Sequence, residues 1–305
     1  MAVTTPRLAL GPVLYYWSRE ALLDFYARMA ATPVDIVYLG ETVCSKRRAL
    51  TTEEWMELAG GLAAAGKEVV LSTLTLLEAA SETGLMKRLC NNGRFMVEAN
   101  DMGAVNLLVN RHPFVTGPAV NIYNPRALGV LAGLGLKRWV LPLELSRDTL
   151  ADMQRERPAG VETEVFVYGR MPLAYSARCF TARAHNLPKD DCRLRCLDYP
   201  DGLLLRTREN EEFLTLNGIQ TQSARSCNLV AELDDMVSLG VDVLRISPQS
   251  AHTEQVVETF HRRLHGACAV GDADTALAAL APAGCCNGYW YGSAGMDDRK
   301  PAEVT

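Results

Sequence analysis

Residues 34–74 read VDIVYLGETVCSKRRALTTEEWMELAGGLAAAGKEVVLSTL. Two apolar, β-branched runs, 34–40 and 68–74, flank a segment with helical spacing from Thr52 to Ala65. A Thr-x-x-Glu signal at Thr51 or Thr52 marks the start of that helix, because the hydroxyl accepts from an amide of the first turn and the Glu reaches back. Runs that are apolar throughout, joined by a helix, predict parallel strands covered on both faces. The same alternation extends in both directions, with further strands expected at 7–13, 95–99, 114–118, 138–143, 163–168 and 241–247. Ser18 to Ala30 fits as a helix, with Leu22, Leu23, Phe25, Tyr26 and Met29 on one face. Eight strand-helix units predict an α/β fold, a closed (β/α)8 TIM-like barrel. An open doubly wound sheet is the alternative, but the early Gly-x-Gly-x-x-Gly turn of its nucleotide-binding forms is missing.

One unit breaks the rhythm. About 70 residues separate strand seven from strand eight, where a compact unit uses a loop of two to six. This insertion, 169–240, carries Cys179, Cys192, Cys196 and Cys227 and the turn signals Leu187-Pro188-Lys189-Asp190 and Tyr199-Pro200-Asp201-Gly202. The expected organisation is one domain over 1–295 that includes the insertion, followed by a disordered tail at 296–305.

The 305 residues include 31 Lys plus Arg and 36 Asp plus Glu, a net charge of −5 that argues against a general nucleic-acid or membrane-surface binder. The start, Met1-Ala2-Val3-Thr4-Thr5-Pro6-Arg7, lacks the order of a secretory signal. The apolar stretch Leu8 to Trp17 is interrupted by Gly11 and Pro12, and no window reaches the ~18 apolar residues of a transmembrane segment. The expectation is a cytoplasmic protein without a membrane span. Reducing conditions there disfavour structural disulfides, so the nine cysteines point to metal ligation, redox chemistry or ordinary burial.

Several motifs carry no function on this reading. Gly61-x-x-x-x-Gly66-Lys67 is followed by Glu68 instead of Ser or Thr and ends a helix, the reverse of a phosphate-binding loop. Gly133-Leu134-Gly135 is a helix-ending turn, and His261 and His265 lie on a solvated helix face. Neither Gly-x-Ser-x-Gly nor His-Glu-x-x-His occurs. Cys90 and Cys268 are expected in the core, where free cysteine behaves as a small hydrophobe; Cys227, Cys285 and Cys286 stay open between core and function.

Cys44 lies in the turn after strand two, and Cys179, Cys192 and Cys196 form C-x12-C-x3-C after strand seven. In a barrel both segments leave the carboxyl ends of their strands, so four thiols from distant parts of the chain meet over one mouth. Four thiolates suit an iron-sulfur cluster, and soft sulfur ligation also suits zinc. Lys46, Arg47, Arg48, Arg178, Arg183, Lys189, Arg193 and Arg195 would offset thiolate charge. A radical S-adenosylmethionine enzyme would need C-x3-C-x2-C, whereas Tyr199 stands where that third cysteine would fall.

Ordered blocks run along nearly the whole chain: LGPVLYYW at 10–17, YLGETVCSKRR at 38–48, VLSTL at 70–74, PLELSRD at 142–148, PLAYSARCFTAR at 172–183, NGIQT at 217–221 and CNGYW at 286–290. In these blocks the chain resembles the UbiV-type family of oxygen-independent ubiquinone biosynthesis, within the collagenase-like peptidase superfamily. The resemblance implies a 4Fe-4S cluster on Cys44, Cys179, Cys192 and Cys196, and a heterodimer with a UbiU-type sister subunit that carries its own cluster. It further implies hydroxylation of the aromatic ring of a ubiquinone precursor, presented by a lipid-binding protein, with oxygen not drawn from O2. Related superfamily members hydroxylate RNA, with prephenate as the oxygen donor they suggest. A non-catalytic scaffold or electron carrier and a collagenase-like peptidase are the competing readings. The catalytic and substrate-binding residues stay unassigned. By strand position the mouth candidates are Glu41, Thr73, Glu98, Asn100, Asp101, Asn121, Glu144 and Tyr168, with Tyr15, Tyr16 and Trp17 as walls or core aromatics.

Overall fold

The computed structural model describes residues 5–299. Seven parallel strands follow in order, β1 (Arg7–Leu10), β2 (Ile36–Leu39), β3 (Glu68–Ser72), β4 (Met96–Ala99), β5 (Phe114–Thr116), β6 (Leu136–Val140) and β7 (Glu162–Tyr175). A later strand, Val243–Ile246, pairs in parallel with β7 on one side and β1 on the other, closing the ring. The fold is thus an eight-stranded parallel barrel of TIM-like form. Helices α1 (Arg19–Ala30), α2 (Thr52–Ala64), α3 (Ala80–Cys90), α4 (Met102–Leu108), α5 (Pro125–Gly133) and α6 (Arg147–Arg155) lie between successive strands. Thr51, the first of the two expected candidates, caps α2 in a full capping box with Glu54.

The strand expected at 163–168 is longer than the sequence suggested. After its barrel half, β7 passes through Gly169, at φ +118° and so close to Ser247 that a Cβ would meet that side chain at 2.7 Å. It continues to Tyr175 as the edge of an antiparallel sheet with β8 (Leu203–Arg206), β9 (Glu212–Asn217) and β10 (Gln220–Asn228), in the order β7-β10-β9-β8. The insertion is therefore a sheet grown out of the barrel wall, with α7 (Phe180–Ala184) and two short 3-10 turns packed at its start. After it come α8 (Leu233–Ser238), the closing strand β11 (Val243–Ile246), α9 (Thr253–Leu264), α10 (Val270–Leu280) and the short β12 (Cys285–Cys286), which pairs with β10.

Alternation along each strand sends every second side chain into the barrel. Ala9, Ile36, Tyr38, Val70, Val115, Val140 and Val243 form an apolar cluster there, and the same parity brings in charged residues. Arg138 is buried and pairs with Glu68 and Glu162, which also engage Arg7. Higher up, Arg245 reaches Glu164 at 2.6 Å and Glu98 at 2.7 Å and lies over the Tyr38 ring. Tyr38 is also hydrogen-bonded to Glu164. The odd-parity side chains, with the inner helix faces, make the larger outer core around Leu8, Leu10, Phe25, Leu71, Phe114, Trp139 and Phe260.

Cys90 is buried as expected, whereas Cys268, in the connection between α9 and α10, is only half-buried and packs against the edge of the outer core. His261 and His265 stack on the outward face of α9, and His265 is exposed. From Met296 the expected tail runs on; Asp297 and Arg299 are tied to the Asn287–Gly288 turn by backbone and side-chain hydrogen bonds, and residues 300–305 lie outside the described residues. Among the described residues, no helix is long and apolar enough to cross a membrane.

Candidate metal centre and barrel mouth

The loop after β2 is shaped before it is functional. Gly40 sits at φ +133°, and a Cβ there would meet Ser72 O at 2.6 Å, so only glycine fits beside β3. We expect Gly40→Ala to cost about 1–3 kcal/mol, read as a lowered urea midpoint. Glu41 then turns the chain: its Oε1 accepts from the Val43 amide at 2.8 Å and the Cys44 amide at 3.0 Å. Burial raises the Glu41 carboxyl above its usual range, against the opposing pull of Arg47.

Arg47 is the hub. Its buried guanidinium donates to Leu14 O at 2.8 Å and Asn217 Oδ1 at 2.7 Å, which ties the β2 loop to the β1 loop and to the β9-β10 hairpin. Gly218 makes room, since a Cβ there would stand 2.8 Å from Arg47 Nη2. Arg47 Nε has no hydrogen-bond partner of good geometry, while the guanidinium lies against the Cys196 thiol with Glu41 and Cys44 close by. Lys46 makes the second tie, donating to Lys189 O at 2.8 Å and Asp190 Oδ1 at 2.9 Å.

The three insertion cysteines are held by local backbone devices. Cys179 caps α7, where its Sγ accepts from the Ala182 amide at 3.4 Å, and the next residue anchors to the hairpin through Phe180 N to Gly218 O at 2.8 Å. Cys192 ends the 3-10 turn Lys189–Asp191. Arg193 and Leu194 then both take left-handed φ near +50°, and the turn Arg195–Asp198 brings Cys196 back.

Cys179 lies near enough to Cys44, and Cys179 and Cys192 near enough to Cys196, to add to the hold of those two thiols on their protons. Burial pushes the Cys44 thiol up to about 11, eased by the Lys46 amide and Arg47 and reinforced by Glu41 and Cys179. Cys196 is raised by burial and eased by Arg47. Metal binding would have to displace these protons, which favourable ligation does routinely. Leu14, Val43, Ile219, Leu76 and Tyr175 form an apolar shell around Cys44 and Cys179. Among the described residues, no three His, Cys, Asp or Glu side chains make a group tight enough for one metal ion. A cubane asks for something different, because each of its four irons takes one thiolate and the sulfurs stay well apart. The donor set, the adjacent cations and the unpartnered Arg47 Nε all fit a group that carries negative charge and sulfur acceptors.

Next to this centre the barrel mouth holds a small cleft, partly open to solvent. Glu98, Asn100, Phe166, Arg245 and Ser247 form its floor, and Pro12, Leu14, Pro118, Pro172 and Tyr175 its walls. Leu14 and Tyr175 belong to both the cleft and the cysteine shell.

Of the mouth candidates, Glu98 and Asn100 line the cleft. Asn100 is fixed by Nδ2 to Thr73 O at 2.9 Å, while Thr73 Oγ1 accepts from the Asn100 amide. Asp101 is displaced from chemistry into capping α4, through Ala104 N at 2.9 Å. Tyr168 is a correction: it is buried on the outer face of β7, packed on Phe260 with its hydroxyl on Leu277 O, because an irregularity in β7 between Phe166 and Tyr168, opposite Arg245 and Ile246, breaks the alternation that would have kept it on the side of Phe166. Glu144 and Asn121 are exposed on the rim, with Glu144 bonded by Tyr123. Tyr15 and Trp17 stack as core aromatics beneath the insertion, where Trp17 Nε1 donates to Pro200 O at 2.7 Å; the Tyr16 ring faces Arg47. Arg245, Glu164 and Arg138 were missed. Their signal was present: a charge inside an otherwise apolar strand run points into the barrel when its neighbours point out.

Residues 23–300 match the family model described as Peptidase family U32. The chain is similar in structure to the U32 peptidase Mk0906, at 15% identity, 81% of this chain, 93% of that chain and a TM-score of 0.43. It is similar also to dihydrodipicolinate synthase from Aquifex aeolicus, at 12% identity, 89% of this chain, 79% of that one and a TM-score of 0.46. A third likeness is to N-acetylneuraminate lyase from Aliivibrio salmonicida, at 11% identity, 90% and 79% coverage and a TM-score of 0.47. Because the family match takes in most of the chain, from the first helix to the end of the described residues, the chain belongs to peptidase family U32.

Proposed function

We propose that this chain carries a 4Fe-4S cluster on Cys44, Cys179, Cys192 and Cys196, as the iron-sulfur subunit of an O2-independent hydroxylase. In this reading it acts with a UbiU-type sister subunit on the aromatic ring of a ubiquinone precursor. The observation that supports the reading is the tie between the two cysteine-bearing segments, Lys46 on Lys189 and Asp190 and Arg47 on the β9-β10 hairpin, with a buried arginine Nε left unpartnered between them. Zinc on the same thiols remains the competing metal, since soft sulfur serves both.

The bound cluster supplies one-electron transfer. The residues of the chain do the rest. Arg47 and Lys46 offset the negative charge of the thiolates and lock the two ligand segments to each other. The shell of Leu14, Val43, Ile219 and Tyr175 packs against Cys44 and Cys179 and limits water at those two sulfurs, and solvent exposure together with hydrogen bonds to the sulfurs sets a cluster's potential. The shared walls Leu14 and Tyr175 keep the path from this centre to the cleft short and apolar.

A mixed reconstitution tests the reading. The two subunits are combined anaerobically with a ubiquinone precursor and an oxygen donor, with the cluster removed from each subunit in turn. Loss of hydroxylation when this chain lacks its cluster is expected. Undiminished hydroxylation with this chain's four cysteines replaced would reduce it to a scaffold, and cleavage of collagen-like peptides that survives Cys44→Ala and Cys192→Ala would return it to the peptidase reading.

A further inference from the structure

Arg47 is buried against the cysteine centre, its side chain only 1% exposed. Two of its three nitrogens are engaged, Nη1 by Leu14 O at 2.8 Å and Nη2 by Asn217 Oδ1 at 2.7 Å. Asn217 is itself fixed, donating through Nδ2 to Leu14 O at 2.7 Å and to Gln220 Oε1 at 2.9 Å, and Gln220 donates to the Tyr175 hydroxyl at 2.6 Å. Asn217 and Gln220 are both buried, so this chain of bonds is shielded from water and holds the guanidinium in one orientation. Tyr16 offers its ring face at 5.9 Å, and Glu41 Oε1, 3.9 Å from Nη1, is already taken by the Val43 and Cys44 amides. Nε alone is left without a well-formed hydrogen bond, and the guanidinium lies against the Cys196 thiol. A thiol is a weak acceptor, whereas a metal-bound thiolate is a charged and stronger one.

We propose that Arg47 sets the reduction potential of the centre by giving a guanidinium N–H to the Cys196 sulfur, with Asn217 and Gln220 as positioning residues that keep it aimed. The inference rests on the cluster proposed above. On reduction one electron passes from a one-electron donor to the cluster, no bond is made or broken, and the added negative charge is shared with the thiolate sulfurs. A fixed cationic donor in a site of low dielectric therefore holds the reduced form more strongly than the oxidised one and raises the potential. Lys46 cannot do the same. Its side chain is 34% exposed, and its Nζ is spent on Lys189 O and Asp190 Oδ1, so water and a carboxylate screen its charge.

The test is a dithionite titration of the anaerobically purified full chain, followed by electron paramagnetic resonance, with iron and sulfide measured in each sample. Arg47→Gln should shift the reduction equilibrium against the reduced cluster by at least about tenfold, a potential about 59 mV lower for one electron. Arg47→Lys keeps the charge but loses the rigid fork, so it should recover only part of that shift. Asn217→Ser, which loosens the guanidinium without removing it, should move the potential in the same direction. Lys46→Gln should shift it by less than about threefold, the mark of a screened surface charge. Equal potentials in wild type and Arg47→Gln, or a shift in Lys46→Gln as large as that in Arg47→Gln, would overturn the proposal; if Arg47→Gln holds no iron, Arg47→Lys and Asn217→Ser decide it by the same comparison. Wild type without iron and sulfide would remove the cluster reading and this inference together, whereas a full cluster whose potential ignores Arg47 removes this inference alone.

Discussion

Cys192→Ala, purified without oxygen, should emerge colourless or nearly so, with iron and sulfide far below the roughly four of each expected per wild-type chain. Cys44→Ala should behave alike even though it lies far from Cys192 in sequence, because the Lys46 contacts to Lys189 and Asp190 bring the two loops to one place. Cys90→Ala supplies the control: it is buried between α3 and the barrel, away from the mouth, and should keep full iron at a modest cost in stability. Absorption near about 400 nm and iron per chain read all three variants. Equal iron in Cys44→Ala and Cys90→Ala would separate Cys44 from the centre.

Arg245→Ala should be the most destabilising single change in the barrel interior, by about 3–5 kcal/mol, the usual cost of removing one partner from a buried ion pair. It leaves the fully buried Glu98 without its cation and Glu164 with only the more distant Arg138, at 3.9 Å, and uncovers the Tyr38 ring. Arg245→Met combined with Glu98→Gln and Glu164→Gln should recover a large part of the loss, because it removes the cation and both of its carboxylates while keeping volume. Urea unfolding measures both. If Arg245→Ala stayed within about 1 kcal/mol of wild type, like an exposed pair, the interior charge network would not have the structural role given to it here.

The barrel was legible because its strands are nearly continuous apolar runs at regular spacing, and parallel strands covered on both faces are what such runs encode. The nearness of the Cys44 loop to the insertion followed from topology, since both leave carboxyl ends of strands, and the Lys46 contacts to Lys189 and Asp190 show the two segments side by side. The sheet β8–β10 was hidden by its chemistry. Gln220, Gln222, Ser223, Ser226 and Asn228 are buried polar residues, and Gln222 donates to Gln220, which in turn bonds Asn217 and Tyr175. Hydrophobic periodicity cannot see a strand buried through its hydrogen bonds. The reversal between Cys192 and Cys196 was equally unreadable, because Arg193 and Leu194 are not residues that favour the left-handed conformation they adopt. The role of Arg47 sat in plain view in the Cys-Ser-Lys-Arg-Arg block, but a run of cations gives no hint of which member is buried. Tyr168 was misplaced because alternation from Glu164 and Phe166 points it inward, whereas the extra residue at Val167 in the pairing of β7 with β11 turns it to the outer core, and such a bulge leaves no mark in the hydrophobic pattern.

The most direct test of the central claim is Mössbauer spectroscopy of the full chain, enriched in iron-57 and purified anaerobically, together with zinc analysis of the same sample. The account predicts the spectrum of a cubane with all four irons under thiolate ligation, lost in Cys192→Ala. A colourless chain that binds one zinc per molecule through the same cysteines would contradict it.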